Sequence, residues 1–481
     1  MFRAISSISD YVAALPRPLA LLGFGVEGRE TLRFLLGHGA GEAHVYDHAF
    51  ASGLPAQDVR AQFAGAVFHG EADWARELAA GGTVLRSAGV RPDVPELQAA
   101  RAAGARVLTA VGMFLALRPG PVVGVTGTLG KGTTVTLIGQ ALAAAGVPHR
   151  LGGNIGLNPL AFLDELTARD VSVLELSSFQ LMDLAAHQPD VAVVLRTSSE
   201  HLDWHRDVGE YRRAKRGLLA PAGSGQRVIY CADSAGSREV VAGHEAWALA
   251  VSLSGPVDNG IGLHGGRLCR MQGGTPEALP WLEALAMPGA FNRENAAAAA
   301  LAAECVGAGA APAARAIAAF PGLPHRLERV GLVGGVACYN DSYATRPDAT
   351  LGAVHAFAQP GAQPLVLIAG GSEKHADFAG LMDALCRHGG LREIELIGAT
   401  AERMAQALAD AAARAGVPVP AHRLLPSLEE AFAQGLRRLN GEGVLLLSPA
   451  CASFGLFANY TARGERFRAL VHEAAHRPAA G

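Results

Sequence analysis

The sequence has few of the features that mark secreted, membrane-embedded or nucleic-acid-binding proteins. Its 481 residues include only six cysteines, scattered without paired spacing. We therefore expect neither a disulfide framework nor a zinc site, and a reducing cytoplasm fits best. The net charge of −3 offers no broad basic surface for nucleic acid. No signal peptide opens the chain, and it contains no repeat, low-complexity tail or coiled coil.

Long apolar runs are missing as well. The most apolar stretch begins at Ala296 but carries Glu304 and Pro312, and its side chains are too small for a membrane span. We predict a packed, alanine-rich helix followed by a loop, and no membrane insertion. Hydrophobic residues make up 50% of the chain, which is enough for two to four domains that each bury a core.

The stretch 124–134, GVTGTLGKGTT, is the feature around which the rest of the chain is organised. It follows an apolar pair and precedes a run with helical periodicity, so it predicts a strand, a glycine loop and a helix. Backbone N–H groups in such a loop and the helix N-terminus can hold a phosphate. Lys131 would reach the terminal phosphate oxygens as a point charge.

This stretch departs in two ways from the general nucleoside-triphosphate loop. Five residues, rather than four, separate Gly124 from Gly130, and Gly132 stands where Ser or Thr is usual. Thr133 or Thr134 would have to supply the hydroxyl that binds magnesium. The alternative is an ordinary glycine-rich turn between a strand and a helix.

The first third of the chain has a second glycine loop. Gly23, Gly25 and Gly28 lie between an apolar strand and an amphipathic helix, and a following strand ends at Asp47. That spacing allows an acidic residue to meet a ribose hydroxyl. The loop either binds a nucleotide diphosphate or is a tight turn whose glycines serve packing. A further strand ends in a loop near Gly89.

The middle third presents polar residues within or after apolar strands. Glu175 lies in the strand VSVLELSSFQL, where a carboxylate is costly unless it is salt-bridged or bound to a cation such as magnesium. His201, Asp203 and His205 follow the next strand, although a single histidine is more often a hydrogen-bonded surface residue. Lys215 lies on a predicted helix, and taken alone it would be solvated.

Polar residues at the remaining strand and helix ends are less informative. Asn292 and Asn295 share one face at the start of a predicted helix, where capping is the alternative role. Asp341, Lys374 and Ser453 each follow a predicted strand. Three strand ends would thus present polar groups at one edge of a further α/β sheet, without naming a substrate.

Ten segments follow one another along the chain, namely GVTGTLGKGTT, GGNIG, LELSSFQL, EHLDWH, YRRAK, FNRENAAAAA, LPHRLERV, NDSYAT, GGSEKHADF and LSPACASF. As a set and in this order, they resemble the motifs of the Mur ligase family, the ATP-dependent amino-acid ligases of peptidoglycan assembly. The resemblance covers nearly the whole chain. That family's phosphate loop has the longer glycine spacing. LELSSFQL, GGNIG and SPACAS are similar to the members that add glutamate to UDP-N-acetylmuramoyl-L-alanine. Members that add diaminopimelate, lysine, alanine or a folate glutamate tail fit less well.

The alternation of strands and helices predicts an α/β fold with parallel, doubly wound sheets. With the resemblance, it gives three domains: a Rossmann-like UDP-substrate domain over 1–117, a central P-loop ATPase-like domain over 118–322, and a Rossmann-like glutamate-binding domain over 323–481. Glycine- and proline-containing segments near 118 and 322 are the candidate hinges for closure of the third domain.

The resemblance also implies a role for each site residue. The UDP part of the substrate would be held by Gly23, Gly25, Val26, Asp47, Gly89 and Asn154. ATP would be bound by Gly127, Thr128, Leu129, Gly130, Lys131, Gly132, Thr133, Thr134, Asn292, Asn295, Arg326 and Asp341. Two magnesium ions would be held by Thr133, Glu175, His201 and a carbamylated Lys215. The incoming glutamate would contact Thr345, Lys374, Ser453 and Tyr460. The catalytic residues would be Lys131, Glu175, His201, Lys215 and Arg326.

The implied reaction uses ATP to convert the alanyl carboxylate into an acyl phosphate. The glutamate amine then attacks, and ADP and phosphate leave. Magnesium and the cationic side chains offset the repulsion between the two anions. The expected protein is a cytoplasmic monomer that acts on small molecules in cell-wall synthesis.

Four departures from the glutamate-adding pattern affect this prediction. Gly132 replaces the usual Ser or Thr, Tyr343 replaces a lysine and is followed by Arg346 and Pro347, Phe291 replaces a histidine, and EHLDWH replaces DHLDRH. The second and fourth are more similar to a relative that adds L-glutamate. We therefore expect L-glutamate, with D-glutamate as the alternative. Two further alternatives are a non-catalytic nucleotide-sugar-binding relative and an NAD-dependent dehydrogenase, which leaves the second phosphate loop unexplained.

Overall fold

The computed structural model describes residues 7–70, 74, 81–154, 156–184, 187–198, 204–358, 363–373 and 376–476. The chain forms two compact units. The first comprises residues 1–283 and 294–317, and the second comprises 284–293 and 318–481. Within the described ranges, no helix has the length and apolar character needed to cross a membrane.

The first unit begins with a five-stranded parallel sheet in the order β3-β2-β1-β4-β5. Its strands are β1 Leu19–Leu22, β2 Ala43–Tyr46, β3 Ala66–His69, β4 Thr83–Arg86 and β5 Arg106–Leu108. The helices that accompany them are Ile8–Ala13, Val26–Gly37, Gln57–Ala61, Pro95–Ala102 and Ala110–Leu117. The central strands β1 and β4 are buried along their whole length, as expected when helices cover both faces of a parallel sheet.

A second sheet in the same unit has nine strands in the order β14-β13-β12-β11-β10-β9-β6-β8-β7. They are β6 Val122–Thr126, β7 His149–Gly153, β8 Val171–Glu175, β9 Val191–Val194, β10 Arg227–Cys231, β11 Leu249–Val251, β12 Gly260–His264, β13 Arg267–Gln272 and β14 Thr275–Ala278. The helices between them are Lys131–Ala144, Ser178–Leu181, Val208–Arg216 and Ala235–Val241. The predicted parallel sheet is confirmed, and β13 and β14 add an antiparallel extension that the sequence analysis did not predict.

One hydrophobic core runs through both sheets of the first unit. It includes Leu21 of β1 and Leu174 of β8. Phe114 and Phe162 pack edge to face in this core with their ring centroids 5.7 Å apart. The predicted boundary at residue 117 falls between the two sheets, and it remains a prediction as a domain limit.

The alanine-rich stretch forms the helix Ala290–Cys305, as predicted, with Ala296 to Ala303 buried on all sides. A second helix, Ala310–Ala319, follows where the sequence predicted a loop. Its Pro312 lies in the first turn, where a missing N–H leaves no intrahelical hydrogen bond unmade.

The second unit contains a six-stranded sheet in the order β15-β16-β20-β17-β18-β19. Its strands are β15 Glu328–Val333, β16 Val336–Asn340, β17 Leu365–Gly370, β18 Leu391–Ile397, β19 His422–Leu425 and β20 Val444–Leu447. Its helices are Pro347–Ala356, Ala379–Cys386, Ala401–Ala415, Leu428–Leu439 and Tyr460–Ala475. Among the described strands of this sheet, only β15 pairs antiparallel. Separate cores on the two faces of the sheet make it doubly wound.

Candidate active site

The phosphate loop lies between β6 and the helix that begins at Lys131. Gly127 and Gly130 have φ angles of 155° and 87°, which favour glycine. A Cβ atom on Gly130 would also lie 2.2 Å from the side-chain oxygen of Asn295. Gly124 lies within β6, where a Cβ would approach Leu218 Cδ1 to 2.8 Å. Gly124 is therefore a packing glycine, and the loop proper runs from residue 127 to 130.

Side chains of the loop are held by hydrogen bonds inside the first unit. Lys131 Nζ donates to the carbonyl oxygens of Gly127 and Thr128, both at 3.0 Å. Thr128 Oγ1 lies 2.9 Å from the hydroxyl of Tyr211. Thr134 Oγ1 is buried and has no hydrogen-bond partner among the described residues. In the same part of the chain, Gly132 and Thr133 are buried and Leu129 is exposed.

Glu175 ends β8, directly beside β6, with Val125 opposite it. The residue is 5% exposed. Its Oε1 accepts a hydrogen bond from Asn154 Nδ2 at 2.9 Å, and its Oε2 is buried without a hydrogen-bond partner in the described ranges. No ion pair to Glu175 occurs there either, so the salt-bridged alternative is not supported. A buried carboxylate oxygen of this kind is costly unless a cation binds it, so Glu175 fits a magnesium ligand.

Lys215 is almost fully buried at 1% exposure, so the expectation of a solvated lysine is wrong. It lies on the inner face of the helix Val208–Arg216, and its Nζ is 4.5 Å from the ring centroid of Tyr211. Its Nζ donates to the Gly127 carbonyl at 2.8 Å, the same oxygen to which Lys131 donates. Two ammonium groups at one oxygen repel each other unless an anion lies nearby or one of them loses its charge.

His201 and Lys374 lie outside the described residues, as does Asp203. In the chain that the structure does describe, no three His, Cys, Asp or Glu side chains come close enough together to hold a metal ion. His205 is buried, lies 2.9 Å from Ser178 Oγ and stacks on Phe179. These contacts make His205 a packing residue rather than a surface one.

The first glycine loop is shaped by close packing. Gly23 has a φ angle of 95°, and a Cβ on Gly28 would lie 2.0 Å from its carbonyl oxygen. Asp47 accepts a hydrogen bond from the backbone N–H of Phe24 at 2.6 Å, and Ser87 Oγ donates to the Gly23 carbonyl at 2.8 Å. Packing therefore accounts for Gly23 and Gly28, whereas a Cβ on Gly25 would meet nothing within 4 Å, and Asp47 fixes the loop from the neighbouring strand.

A cavity of ≈ 230 Å³ in the first unit brings two of the predicted substrate residues together. Val26 and Asn154 line it, along with Glu27 and Gln180, which the sequence analysis missed. Burial raises the pKa of Glu27. The only sequence signal for Glu27 was its place inside the glycine loop. Gly25, Asp47 and Gly89 are not among the lining residues.

Gly89 lies in a loop that a buried arginine, not predicted from the sequence, joins to the segment that follows β8. Arg86 Nη1 donates to the Val90 carbonyl at 2.7 Å, and its Nε donates to Asp183 at 2.6 Å. Trp204, one of the departures in EHLDWH, donates from its indole N–H to the Gly89 carbonyl at 3.3 Å.

In the second unit, Asp341 is hydrogen-bonded to the residue that follows Arg326. Asp341 Oδ1 accepts from the backbone N–H of Leu327 at 3.0 Å, and Oδ2 accepts from Ser448 Oγ at 2.7 Å. Burial raises the pKa of Asp341 to about 7, against the lowering effect of the Ser448 hydrogen bond. The predicted meeting of strand ends follows from the order β16-β20-β17.

The remaining predicted residues have varied surroundings. Tyr460 is exposed and its ring packs at 87° against that of Tyr343, while Ser453 is buried. Thr345 N donates to the Tyr343 carbonyl at 2.8 Å. Asn292 Nδ2 donates to the Pro288 carbonyl at 2.7 Å, and the helix begins at Ala290 rather than at Asn292.

Comparison with known proteins accounts for most of the chain. The Mur ligase middle domain matches residues 125–303, and the Mur ligase glutamate ligase domain matches residues 325–451. A protein of Symbiobacterium thermophilum named UDP-N-acetylmuramoylalanine--D-glutamate ligase is 32% identical, over 94% of this chain and 97% of its own. A protein of the same name from Phenylobacterium zucineum is 35% identical, over 95% and 97%. The solved structure of MurF from Acinetobacter baumannii shares the fold at a TM-score of 0.57 and 17% identity, over 96% and 92% of the two chains.

The chain therefore belongs to the Mur ligase family, which confirms the resemblance drawn from its motifs. It is an ATP-dependent, amide-bond-forming ligase of peptidoglycan synthesis. Both relatives carry D-glutamate in their names. The comparisons thus favour D-glutamate, the stated alternative, over the expected L isomer.

Proposed function

We propose that this ligase joins D-glutamate to UDP-N-acetylmuramoyl-L-alanine. The names of its relatives support this substrate pair. The observation that carries the chemistry is the convergence of Lys131 and Lys215 on the Gly127 carbonyl, beside the strand that ends at Glu175 with a carboxylate oxygen lacking a partner among the described residues. The cationic Lys131 suits a phosphate, and a carboxylate oxygen of this kind suits a divalent cation.

ATP would be held by residues 127–134, with Asn292 and Asn295 at its adenine end and with Arg326 and Asp341 as further contacts. When bound, ATP supplies the phosphoryl group that activates the alanyl carboxylate for attack by an amine. The N–H groups of the loop and Lys131 would neutralise the phosphates. The close approach of Asn295 to Gly130 supports a role for Asn295 beside the loop.

Magnesium would be held by Thr133, Glu175, His201 and Lys215. Carbamylation would turn the Lys215 ammonium into a carboxylate-like ligand, and it would remove the repulsion between Lys215 and Lys131. Among the described residues, Oε2 of Glu175 has no hydrogen-bond partner, which supports a cation there. The number of ions, two, and the carbamylation both rest on the resemblance.

The substrates would occupy different parts of the chain. The nucleotide sugar would bind the domain over 1–117 through Gly25, Val26, Asp47 and Gly89, with Asn154 from the domain over 118–322. Glutamate would bind the domain over 323–481 through Thr345, Lys374, Ser453 and Tyr460. We further propose that the ligase works as a monomer in the cytoplasm.

The test is an assay of phosphate release from ATP by the purified chain. Release is expected only when UDP-N-acetylmuramoyl-L-alanine, magnesium and D-glutamate are all present. Release without the nucleotide sugar contradicts the proposed substrate, and faster release with L-glutamate contradicts the proposed isomer. Calorimetric binding of the nucleotide sugar without any release would make the chain the non-catalytic relative.

Carbamylation needs its own measurement. The protein is exchanged into ¹³C-bicarbonate, and a carbamate signal is expected in the carbon NMR spectrum. The signal should be absent from Lys215→Arg, whose guanidinium does not form a carbamate, and present in the control Lys131→Arg. A signal that survives Lys215→Arg contradicts the assignment.

A further inference from the structure

The backbone on either side of Arg326 is strained. His325 and Leu327 have φ angles of 61° and 47°, a region that side chains other than glycine rarely adopt. Two carboxylates hold this conformation: Glu328 accepts from the N–H of His325 at 2.9 Å, and Asp341 accepts from the N–H of Leu327 at 3.0 Å. Strain that is fixed from outside in this way is concentrated at functional sites, which directs attention to the residue between them.

The side chain of Arg326 lies on an aromatic ring. Its Cζ is 3.8 Å from the ring centroid of Tyr343, well within the range of a cation–π contact. Among the residues that the structure describes, the Arg326 guanidinium makes no hydrogen bond or ion pair. Stacking uses the face of the guanidinium and leaves its N–H groups, which lie in the plane, available to an anion.

Tyr343 is itself braced. Its ring meets that of Tyr460 edge to face at 5.0 Å, and its backbone N–H donates to the His325 carbonyl at 2.9 Å. The preceding Ser342 is fixed by the buried Arg463, which donates to the Ser342 carbonyl at 2.9 Å. The ring under Arg326 is therefore held from both its backbone and its edge.

We propose that Tyr343 is a positioning residue that holds the Arg326 guanidinium in the orientation needed to bind a phosphate oxygen of ATP. The inference rests on the proposed contact of Arg326 with ATP and adds to it the means by which that side chain is held. A lysine at this position, the residue that the glutamate-adding pattern has, would place a like charge against Arg326 instead of a ring. Tyr343 therefore does not reproduce the lysine contact but replaces it with a stacking platform.

The experiment compares Tyr343→Phe, Tyr343→Ala and Tyr343→Lys in the full-length protein. The dissociation constant of a non-hydrolysable ATP analogue with magnesium is measured by calorimetry, and KM values are measured for ATP and for glutamate. Tyr343→Phe should match the unaltered protein because the ring remains. Tyr343→Ala should raise the dissociation constant of the ATP analogue by about two- to five-fold, which corresponds to the usual strength of an exposed cation–π contact. Tyr343→Lys should raise the same dissociation constant by about ten-fold, because the new lysine also repels Arg326.

A ligand-free readout checks the orientation directly. In the NMR spectrum of arginine-labelled protein, the ring current of Tyr343 should shift the Arg326 side-chain signals upfield. The shift should persist in Tyr343→Phe and vanish in Tyr343→Ala. Unchanged Arg326 signals in Tyr343→Ala would overturn the stacking.

A double-mutant cycle separates this inference from the proposed function. If Arg326→Ala weakens ATP binding no more than the control Arg329→Ala does, the proposed ATP contact of Arg326 is contradicted. If Arg326→Ala weakens ATP binding but Tyr343→Ala does not, only the positioning role is contradicted. The positioning role also fails if Tyr343→Ala weakens ATP binding to the same extent when Arg326 has already been removed. It fails as well if Tyr343→Ala raises the KM for glutamate and leaves the KM for ATP unchanged. An effect of Tyr343→Ala that disappears in the Arg326→Ala background supports it.

Discussion

Replacing Arg86 by methionine should destabilise the first unit strongly, because this buried guanidinium joins two parts of the chain. Its Nη1 donates to the Val90 carbonyl at 2.7 Å, on the Gly89 loop. Its Nη2 donates to the Phe179 carbonyl at 3.0 Å and its Nε to Asp183 at 2.6 Å. Methionine keeps the apolar stem and removes every donor.

The magnitude follows from what is left behind. Removing one partner of a buried ion pair typically costs about 3–5 kcal/mol, because the other charge stays buried without compensation. Here Asp183 keeps a second partner, Arg101, at 2.9 Å, which lowers that part of the cost. Arg86 also donates to the Ser87 and Ala88 carbonyls at 3.3 and 3.4 Å, but the two shorter bonds, to Val90 and Phe179, dominate, and each of these carbonyls adds about 1–3 kcal/mol when it loses its donor in a buried place. With the ion-pair part reduced to about 1 kcal/mol, because Asp183 is 18% exposed and keeps Arg101, we expect about 3–7 kcal/mol in total.

The assay is urea unfolding followed by tryptophan fluorescence. All four tryptophans of the chain lie in residues 1–283, so the signal reports only on the first unit. The matched control is Arg101→Met, which removes the other partner of the same aspartate. The Arg101 side chain is 32% exposed, against 0% for Arg86. Its substitution should therefore lower the free energy of unfolding by about 1 kcal/mol or less. Equal losses for the two variants would refute the reasoning from burial.

Three further predictions concern the loop, the metal and the second unit. Gly130→Ala should lower the rate of phosphate release at least ~10-fold, because a Cβ at a φ of 87° and its clash with Asn295 distort the loop. The affinity for the nucleotide sugar, measured by calorimetry, should not change. A normal rate of phosphate release would contradict the clash. Chelation by EDTA should stop phosphate release and leave nucleotide-sugar binding intact, whereas release in EDTA would contradict the role of Glu175. Burial beside Glu393 raises the pKa of Glu395 to about 7, so its stabilising effect is full below pH ~4 and lost as the pH rises through about 7. Scanning calorimetry should thus show Glu395→Gln gaining stability relative to the unaltered protein between pH 5 and 8, and an unchanged difference would contradict the burial argument.

The sequence predicted features that are encoded within a few residues of one another. The strand, loop and helix around Lys131 follow from apolar runs, glycines and periodicity, and the structure has all three elements there. Glu175 could be identified as a candidate because a carboxylate inside an apolar strand is destabilising unless it is paired or bound to a cation. The predicted meeting of strand ends in the second unit occurs at the ends of β16 and β20, because these parallel strands are neighbours and share a carboxyl edge.

Features that depend on contacts between residues far apart in the sequence could not be predicted. Arg86 and Asp183 are 97 residues apart in the sequence, and no local pattern pairs them. The burial of Lys215 depends on which face of its helix packs inward, and in isolation the run YRRAKR reads as charged and solvated. The exposed strand β14 has every residue facing solvent, so no alternation of apolar and polar residues marked it.

The structure also changes how the two departures in the phosphate loop should be judged. The extra residue between Gly124 and Gly130 matters only if Gly124 is part of the loop. It is instead a strand residue whose missing Cβ makes room for Leu218, so the spacing says nothing against phosphate binding. Gly132 removes a hydroxyl, yet Thr134 Oγ1, two residues on, is buried and has no hydrogen-bond partner in the described ranges. A buried hydroxyl without a partner costs free energy, and a ligand at the loop would supply one. The loss at Gly132 is therefore a weaker argument for a non-catalytic protein than the sequence alone suggested.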